Sequence, residues 1–206
     1  MSLVSSVLNG VRYDLRNYAD IDFDSVLLIN YLNRAIRTLD YTLGAHNSDW
    51  TLNNGDVTLL DTTSSIAVPT GAFNLREVWV GTSRKEQLAP MDLYYTAQFR
   101  SGEAAEFNYW AHVADNIVVD VAADGNTTVT VFYDKLTTAV SAESGTMPYQ
   151  GRFDDMLREA VVLLCESKKY KSPQEADAMY AQIFAKIVQS DLVNRRYVKK
   201  HYRLDF

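Results

Sequence analysis

The sequence predicts an α+β protein, with helices at both ends of the chain and a β-rich segment between them. Apolar residues recur at helical spacing near both ends, whereas the middle alternates β-prone runs with turn residues. The chain has 206 residues, of which 47% are hydrophobic, enough for one core and a small inserted module. We expect a helical bundle formed by the N-terminal and C-terminal helices, an inserted antiparallel β module shaped as a small sandwich or barrel, and a basic C-terminal tail.

These patterns divide the chain into four segments. Residues 1–48 hold the N-terminal helices of the bundle, and residues 49–140 form the inserted β module. Residues 147–192 form a C-terminal helical hairpin, and residues 193–206 form an extended basic tail.

The two N-terminal helices are predicted from apolar residues that recur at three- and four-residue steps. The first covers residues 3–16 and the second covers about residues 24–43. Asp22 or Asp24 is suited to cap the second helix, and Gly44 is a natural end for it.

The β module is predicted from two turn signals. Asn54-Gly55 stands between short β-prone runs, a strong indication of a tight hairpin. A second hairpin is predicted for "NIVVDVAADGNTTVTVFYDKL", with its turn at residues 123–126. Between them, residues 91–101, "MDLYYTAQFRS", are compatible with a short helix.

The C-terminal hairpin begins with one apolar stripe that runs from Phe153 to Leu164 at helical spacing. The second helix opens with Ser172 as N-cap, Pro173 at the first helical position and Glu175 three residues after the cap. That order is a capping box, which is typical of a helix start.

The sequence offers no pattern that is typical of catalysis or metal binding. His46, His112 and His201 are scattered, and none has a second metal ligand four residues away. There is no phosphate-binding glycine loop and no nucleophile elbow around a serine. We therefore expect no enzyme activity, no catalytic residues, no metal and no cofactor.

The alternating Asp20, Asp22 and Asp24 match the start of a calcium loop only in part. Ser25 stands where such a loop needs glycine, and Tyr31 stands where it needs a bidentate glutamate. The aspartates are therefore predicted to cap a helix rather than to bind calcium.

Aromatic residues concentrate in "YYTAQF" at 94–99 and "FNYWAH" at 107–112. Such stretches can stack on sugars or on single-stranded nucleic acid. They also fill half-buried cores and protein interfaces, which is the more frequent use of tyrosine and tryptophan.

Charge is distributed unevenly along the chain. Residues 195–206 carry five Lys or Arg and one Asp, a net charge of +4, so residues 1–194 carry −10 of the total of −6. A basic, aromatic tail on an acidic body is typical of a segment that binds a partner, whereas the alternative is a solvated chain end.

The order of these parts resembles the head-to-tail adaptor (connector) proteins of tailed bacteriophages, over about residues 10–190. The resemblance rests on a Leu-Asn-x-Ala core at residues 32–35 and on Asp49-Trp50 after that helix. It also rests on a strand–turn–strand unit that ends in Tyr133 and on the closing helix pair at 147–188.

The resemblance implies a structural virion protein that forms a ring, usually dodecameric, at the neck between the portal and the tail. It would extend the DNA channel, let genomic DNA pass without sequence-specific binding, and contact the tail or nozzle protein. It would be made in the host bacterial cytoplasm and would have no membrane contact. The family's C-terminal segment commonly contacts the portal, which implies portal-binding roles for Arg195, Arg196, Tyr197, Lys199, Lys200, His201, Tyr202 and Arg203.

Two other interpretations remain open from the sequence. The chain could be another tail-completion or collar component, which would bind the tail tube or hub in place of the portal. Less favoured is a carbohydrate- or nucleic-acid-binding module that uses the aromatic stretches.

Overall fold

A computed structural model describes most of the chain, namely residues 2–15, 23–81, 86–91, 107–167, 174–175, 177–186 and 189. The fold is α+β, as predicted. The chain divides into two compact units: a helical unit made of Met1–Trp50 and Thr137–Phe206, and a sheet unit made of Thr51–Leu136.

The helical unit contains four regular helices in its described part. They are α1 (Val4–Leu15), α2 (Ser25–Ala45), α3 (Asp154–Ser167) and α4 (residues 177–186), with a short 3-10 turn at Pro148–Gly151 before α3. The predicted cap of α2 is confirmed, since the Asp24 carboxylate accepts the backbone N–H of Leu27 at 2.6 Å. Asp20 and Asp22 lie outside the described residues.

The helices of this unit bury their apolar faces in one common core. α3 packs against both α1 and α2, and the apolar stripe predicted from Phe153 to Leu164 is buried apart from Met156, which is half-buried. The largest fully buried side chains here are Leu8, Leu28, Leu32, Leu39, Leu43 and Leu157. The apolar periodicity of the sequence therefore marks most of the inner face of α1, α2 and α3, whereas the apolar residue Val26 at the start of α2 is 68% exposed.

The sheet unit is a seven-stranded mixed sheet that is nearly closed on itself. Its strand order is β1-β7-β3-β4-β5-β6-β2. The strands are β1 (Leu52–Leu59), β2 (Ser65–Ala67), β3 (Ala72–Val80), β4 (Glu86–Pro90), β5 (Tyr109–Val113), β6 (Asn116–Val119) and β7 (Thr127–Lys135).

The prediction of a wholly antiparallel module is wrong at one pair of strands. β4 and β5 run parallel, with Ala89 opposite Tyr109 and Pro90 opposite Trp110. Parallel neighbours need a long crossover connection, and the chain from residue 91 to residue 108 is long enough to provide one. The helix predicted at 91–101 lies almost entirely outside the described residues.

The hairpin predicted at Asn54-Gly55 is also wrong. Both residues lie inside β1, which pairs with β7 along its whole length, with Asn54 opposite Phe132 and Gly55 opposite Val131. A Cβ placed at Gly55 would lie 3.9 Å from the Tyr133 ring, which is ordinary contact distance. Continuous pairing with a neighbouring strand has overridden the local turn signal.

Both strands of the second predicted hairpin are present, as β6 and β7, but they do not pair with each other. β6 pairs with β5 and β2, whereas β7 lies between β1 and β3. After β6 the chain bonds to the β1–β2 connection, because Thr62 N–H donates to the Ala123 carbonyl at 2.8 Å and Ala123 N–H donates to the Thr63 carbonyl at 2.9 Å. Those contacts carry the chain away from β6 before β7 begins.

The aromatic stretch at 107–112 contributes to the core of the sheet unit. Trp110 is buried there, and Phe107 packs against the same cluster. The stretch at 94–99 lies outside the described residues.

One buried ion cluster holds the end of β7. The Asp134 carboxylate is fully buried and accepts hydrogen bonds from Thr51 Oγ1 at 2.5 Å, Asn74 Nδ2 at 2.7 Å, and Arg76 Nε at 3.0 Å and Nη2. Burial opposes the ionisation of Asp134, but the hydrogen bonds from Arg76, Thr51 and Asn74 outweigh burial and lower its pKa.

Candidate interaction surface on the helical unit

The residues predicted to bind the portal, from Arg195 to Arg203 and including His201, lie outside the described residues. Of the other histidines, His46 caps the C-terminus of α2 and His112 is exposed on β5. The described part of the chain contains no group of three His, Cys, Asp or Glu side chains that could hold a metal ion. The candidate interaction surface described below therefore lies on the helical unit.

A polar residue of α2 holds the segment through which the chain re-enters the helical unit. We call this segment, residues 137–147, the return segment. Asn33 Nδ2 donates to the Val140 carbonyl at 2.8 Å, and Asn33 Oδ1 accepts the Val140 N–H at 2.8 Å. One side-chain amide thus pairs both backbone groups of a residue that has no partner strand.

Asp40 binds the start of the return segment from the same helix. Its carboxylate is almost fully buried and accepts the N–H and the hydroxyl of Thr137, both at 2.8 Å, and the hydroxyl of Tyr149. Burial raises the pKa of Asp40, although the hydrogen bonds from Tyr149 and Thr137 oppose the rise. Burial and the hydrogen bond to Asp40 also raise the pKa of Tyr149.

The far end of the return segment is tied to α1. Val4 N–H donates to the Gly145 carbonyl at 2.9 Å, and the Arg12 guanidinium pairs with Glu143 at 2.5 Å. Arg12 Nη2 also donates to Ser25 Oγ at 3.0 Å, at the start of α2. The return segment therefore links the first two helices, because its start is hydrogen-bonded to α2 and its far end is bonded to α1.

These contacts explain the Leu-Asn-x-Ala core at residues 32–35. Leu32 and Ala35 are fully buried, and Asn33 makes the two bonds to Val140. Arg34, at the variable position, is exposed. Sequence reasoning did not assign a role to Asn33 or Asp40. For Asp40 one signal was available, because it stands four residues after Ile36 and therefore on the apolar side of the helix.

The outward side of α2 carries a basic surface. We call it the α2 outer face and define it by the exposed residues Val26, Asn30, Arg34, Arg37 and Tyr41. A shallow groove of about 310 Å³ lies along it, lined by Asn30, Asn33, Arg34, Arg37, Thr38 and Tyr41. Val26 is 68% exposed and Tyr41 is 48% exposed, so apolar surface accompanies the two cations.

Helix α4 packs beside this groove. Tyr180 donates its hydroxyl to Thr38 Oγ1 at 3.3 Å, and its ring centroid lies 4.9 Å from that of Phe184. Ile183 and Phe184 are buried in the common core of the helical unit. Burial raises the pKa of Tyr180, against the effect of the bond to Thr38.

The α2 outer face is suited to recognition of anionic groups. Neither Arg34 nor Arg37 makes a hydrogen bond or ion pair through its side chain with any described residue. A guanidinium presents several donors in a planar fork that matches carboxylate and phosphate oxygens. Among the described helices, none is long and apolar enough to cross a membrane.

Comparison with known proteins identifies the family. No protein of curated function matches the sequence. The model of the SU10 adaptor protein family matches residues 2–201, which is almost the whole chain. The predicted resemblance to phage head-to-tail adaptors is thereby confirmed, and the family is one of structural phage adaptors rather than of enzymes. This chain belongs to the SU10 adaptor protein family.

Proposed function

We propose that the protein is a head-to-tail adaptor that forms a ring between the portal and the tail of a bacteriophage. The observation that carries the proposal is the family match over residues 2–201. In this role the ring, a dodecamer by the family resemblance, extends the DNA channel at the neck of the virion and supports the tail or nozzle protein.

The charge of the chain is compatible with a channel wall. Residues 1–194 carry a net charge of −10, and a surface that captured phosphates would hold the duplex through counterion release. An acidic body lets genomic DNA pass without sequence-specific binding.

The portal contact is assigned to the basic tail. The segment from Arg195 to Arg203 combines five cations with two tyrosines, and arginine and tyrosine are favoured anchors of protein interfaces. In this proposal the tail binds the portal, and the helical unit that carries the tail is held together in part by the bonds of the return segment to α1 and α2.

The test is co-sedimentation with portal rings of the same phage. Full-length protein is compared with a truncation after Asn194, and we expect only the full-length protein to bind. A third variant, with the five Lys and Arg residues of the tail changed to Gln, keeps the length and the aromatic residues. Weak binding of this variant assigns the affinity to charge, whereas full binding assigns it to the aromatic residues.

Two other outcomes change the proposal. If the truncation binds as well as the full-length protein, the adaptor role stands and the portal contact lies elsewhere. If neither binds the portal but both bind the tail tube or hub, the protein is a tail-completion or collar component.

A further inference from the structure

Helix α3 carries an acidic surface on the side away from the core. Its members recur at steps of four, three and four residues, which places them on one side of the helix. Asp155 and Glu159 are exposed and Glu166 is half-buried, whereas Val162 is half-buried at the edge of the stripe and packs against the common core. We call this surface the α3 outer face and define it by Asp155, Glu159, Val162 and Glu166.

The α2 outer face has the opposite charge. Its five residues recur at steps of four, four, three and four, so they too form one stripe. Arg34 and Arg37 stand in its middle, and Tyr41 and Val26 lie toward its ends. Each stripe therefore presents two exposed like charges, and the α2 outer face adds the exposed apolar surface of Val26 and Tyr41.

The two stripes cannot pair within one copy. The inner faces of both helices meet in the common core, through Leu32 and Leu39 of α2 and Leu157 and Val161 of α3. Packed helices lie about 8–10 Å apart, and the exposed charges of each stripe are on the side turned away from that contact. In the described part of the chain, no ion pair joins Arg34 or Arg37 to either exposed carboxylate of α3.

We propose that the α2 outer face of one copy binds the α3 outer face of a neighbouring copy. The inference rests on the proposed ring function and names the contact between its subunits. Two different surfaces on opposite sides of one unit make a head-to-tail contact, which closes into a ring when the rotation permits. Carboxylates of the neighbour supply the ion-pair partners that the side chains of Arg34 and Arg37 lack among the described residues of their own chain.

A nucleic-acid phosphate is the competing partner for the two arginines. That partner would account for the basic stripe but would leave the acidic stripe without a role, because carboxylates repel phosphates. A contact between copies uses both stripes at once, and for this reason we favour it.

The test is a charge swap. The Arg34→Glu/Arg37→Glu variant has two acidic stripes, and the Asp155→Lys/Glu159→Lys variant has two basic stripes. Each alone is expected to associate at least about tenfold more weakly than wild type, since like charges then face each other. Mixed one to one, the two variants are expected to assemble alternately, and a chain with all four changes is expected to assemble by itself.

Assembly is measured in two ways. Sedimentation velocity over a concentration series reports self-association, and the number of copies retained per portal ring reports assembly on the portal. A Glu86→Lys/Asp124→Lys variant, changed at two exposed acids of the sheet unit, is the control for net charge and is expected to assemble as wild type does. Circular dichroism checks that every variant is folded.

Several results overturn the inference. The inference is wrong if either double variant assembles as well as wild type. It is also wrong if neither the one-to-one mixture nor the four-site variant regains assembly. Loss of duplex DNA binding by Arg34→Glu/Arg37→Glu, with assembly intact, assigns the arginines to phosphate instead. If wild type ignores the portal yet self-associates and follows the swap pattern, the proposed function fails while the subunit contact stands.

Discussion

Replacing Asn33 with alanine tests whether one amide holds the return segment on α2. The change removes a donor and an acceptor that pair both backbone groups of Val140 at 2.8 Å. A hydrogen bond between neutral groups contributes about 1 kcal/mol net, and a buried group left unpaired costs about 1–3 kcal/mol. Val140 is half-buried, so water reaches part of the vacated site. We expect Asn33→Ala to lower the free energy of unfolding of the helical unit by about 2–4 kcal/mol.

An isosteric variant and a matched control sharpen this prediction. Asn33→Asp keeps the acceptor for the Val140 N–H but places a second oxygen against the Val140 carbonyl, so we expect it to be destabilising too. Asn30→Ala makes the same substitution one turn earlier on α2, at an exposed position. Because alanine favours helix, Asn30→Ala is expected to be neutral or stabilising by about 0.5 kcal/mol.

Urea unfolding followed by helical circular dichroism gives the stability, and amide hydrogen exchange gives the local effect. The Val140 amide should lose protection in Asn33→Ala and keep more of it in Asn33→Asp. The reasoning is refuted if Asn33→Ala is as stable as Asn30→Ala, or if the Val140 amide stays equally protected in Asn33→Ala.

Three further predictions concern buried charge and a close contact. Asp134→Asn leaves a buried guanidinium without its carboxylate and should cost about 3–5 kcal/mol in urea unfolding. Because the pKa of Asp134 is lowered in the folded state, its stabilisation is present above its unfolded pKa of about 3.9 and should be lost as pH falls through the folded pKa. The pKa of Asp40 is raised, so wild-type stability relative to Asp40→Asn should fall as pH rises from about 4 toward that raised pKa, in unfolding measured at several pH values. A Cβ at Gly10 would lie 2.8–2.9 Å from the Arg158 side chain, so Gly10→Ala should displace Arg158 from its exposed ion pair with Asp14, which contributes about 0–1 kcal/mol. Alanine gains about 1 kcal/mol over glycine in helix propensity. The two effects offset each other, so Gly10→Ala should change the free energy of unfolding by less than about 1 kcal/mol, and a larger loss would contradict this.

Features that depend on neighbouring residues were predictable from the sequence. The spacing of apolar residues predicted helices at 3–16 and 24–43, and the structure has α1 at Val4–Leu15 and α2 at Ser25–Ala45. The cap at Asp24 followed from the residue type and its place before the apolar run. The ordered set of helix and strand motifs also indicated the adaptor family, which the family match confirmed.

Features that depend on distant residues were not predictable in this way. Asn54-Gly55 is a local turn signal, but β1 pairs with β7 at eight consecutive residues, and this pairing keeps Asn54 and Gly55 extended. The partner of Asn33 lies 107 residues away, and nothing beside Asn33 in the sequence indicates it. The parallel alignment of β4 and β5 depends on the path of the long connection between them.

By itself the sequence determined the two N-terminal helices and most of the apolar side of each, because these follow from a period of 3.6 along the chain. It also determined that the tail is basic and the body acidic. Only the tertiary structure decided which strands pair, which backbone groups Asn33 and Asp40 bind, and that α2 and α3 turn opposite charges outward from one core. Those outcomes depend on contacts between residues far apart in the chain, whose geometry no local pattern encodes.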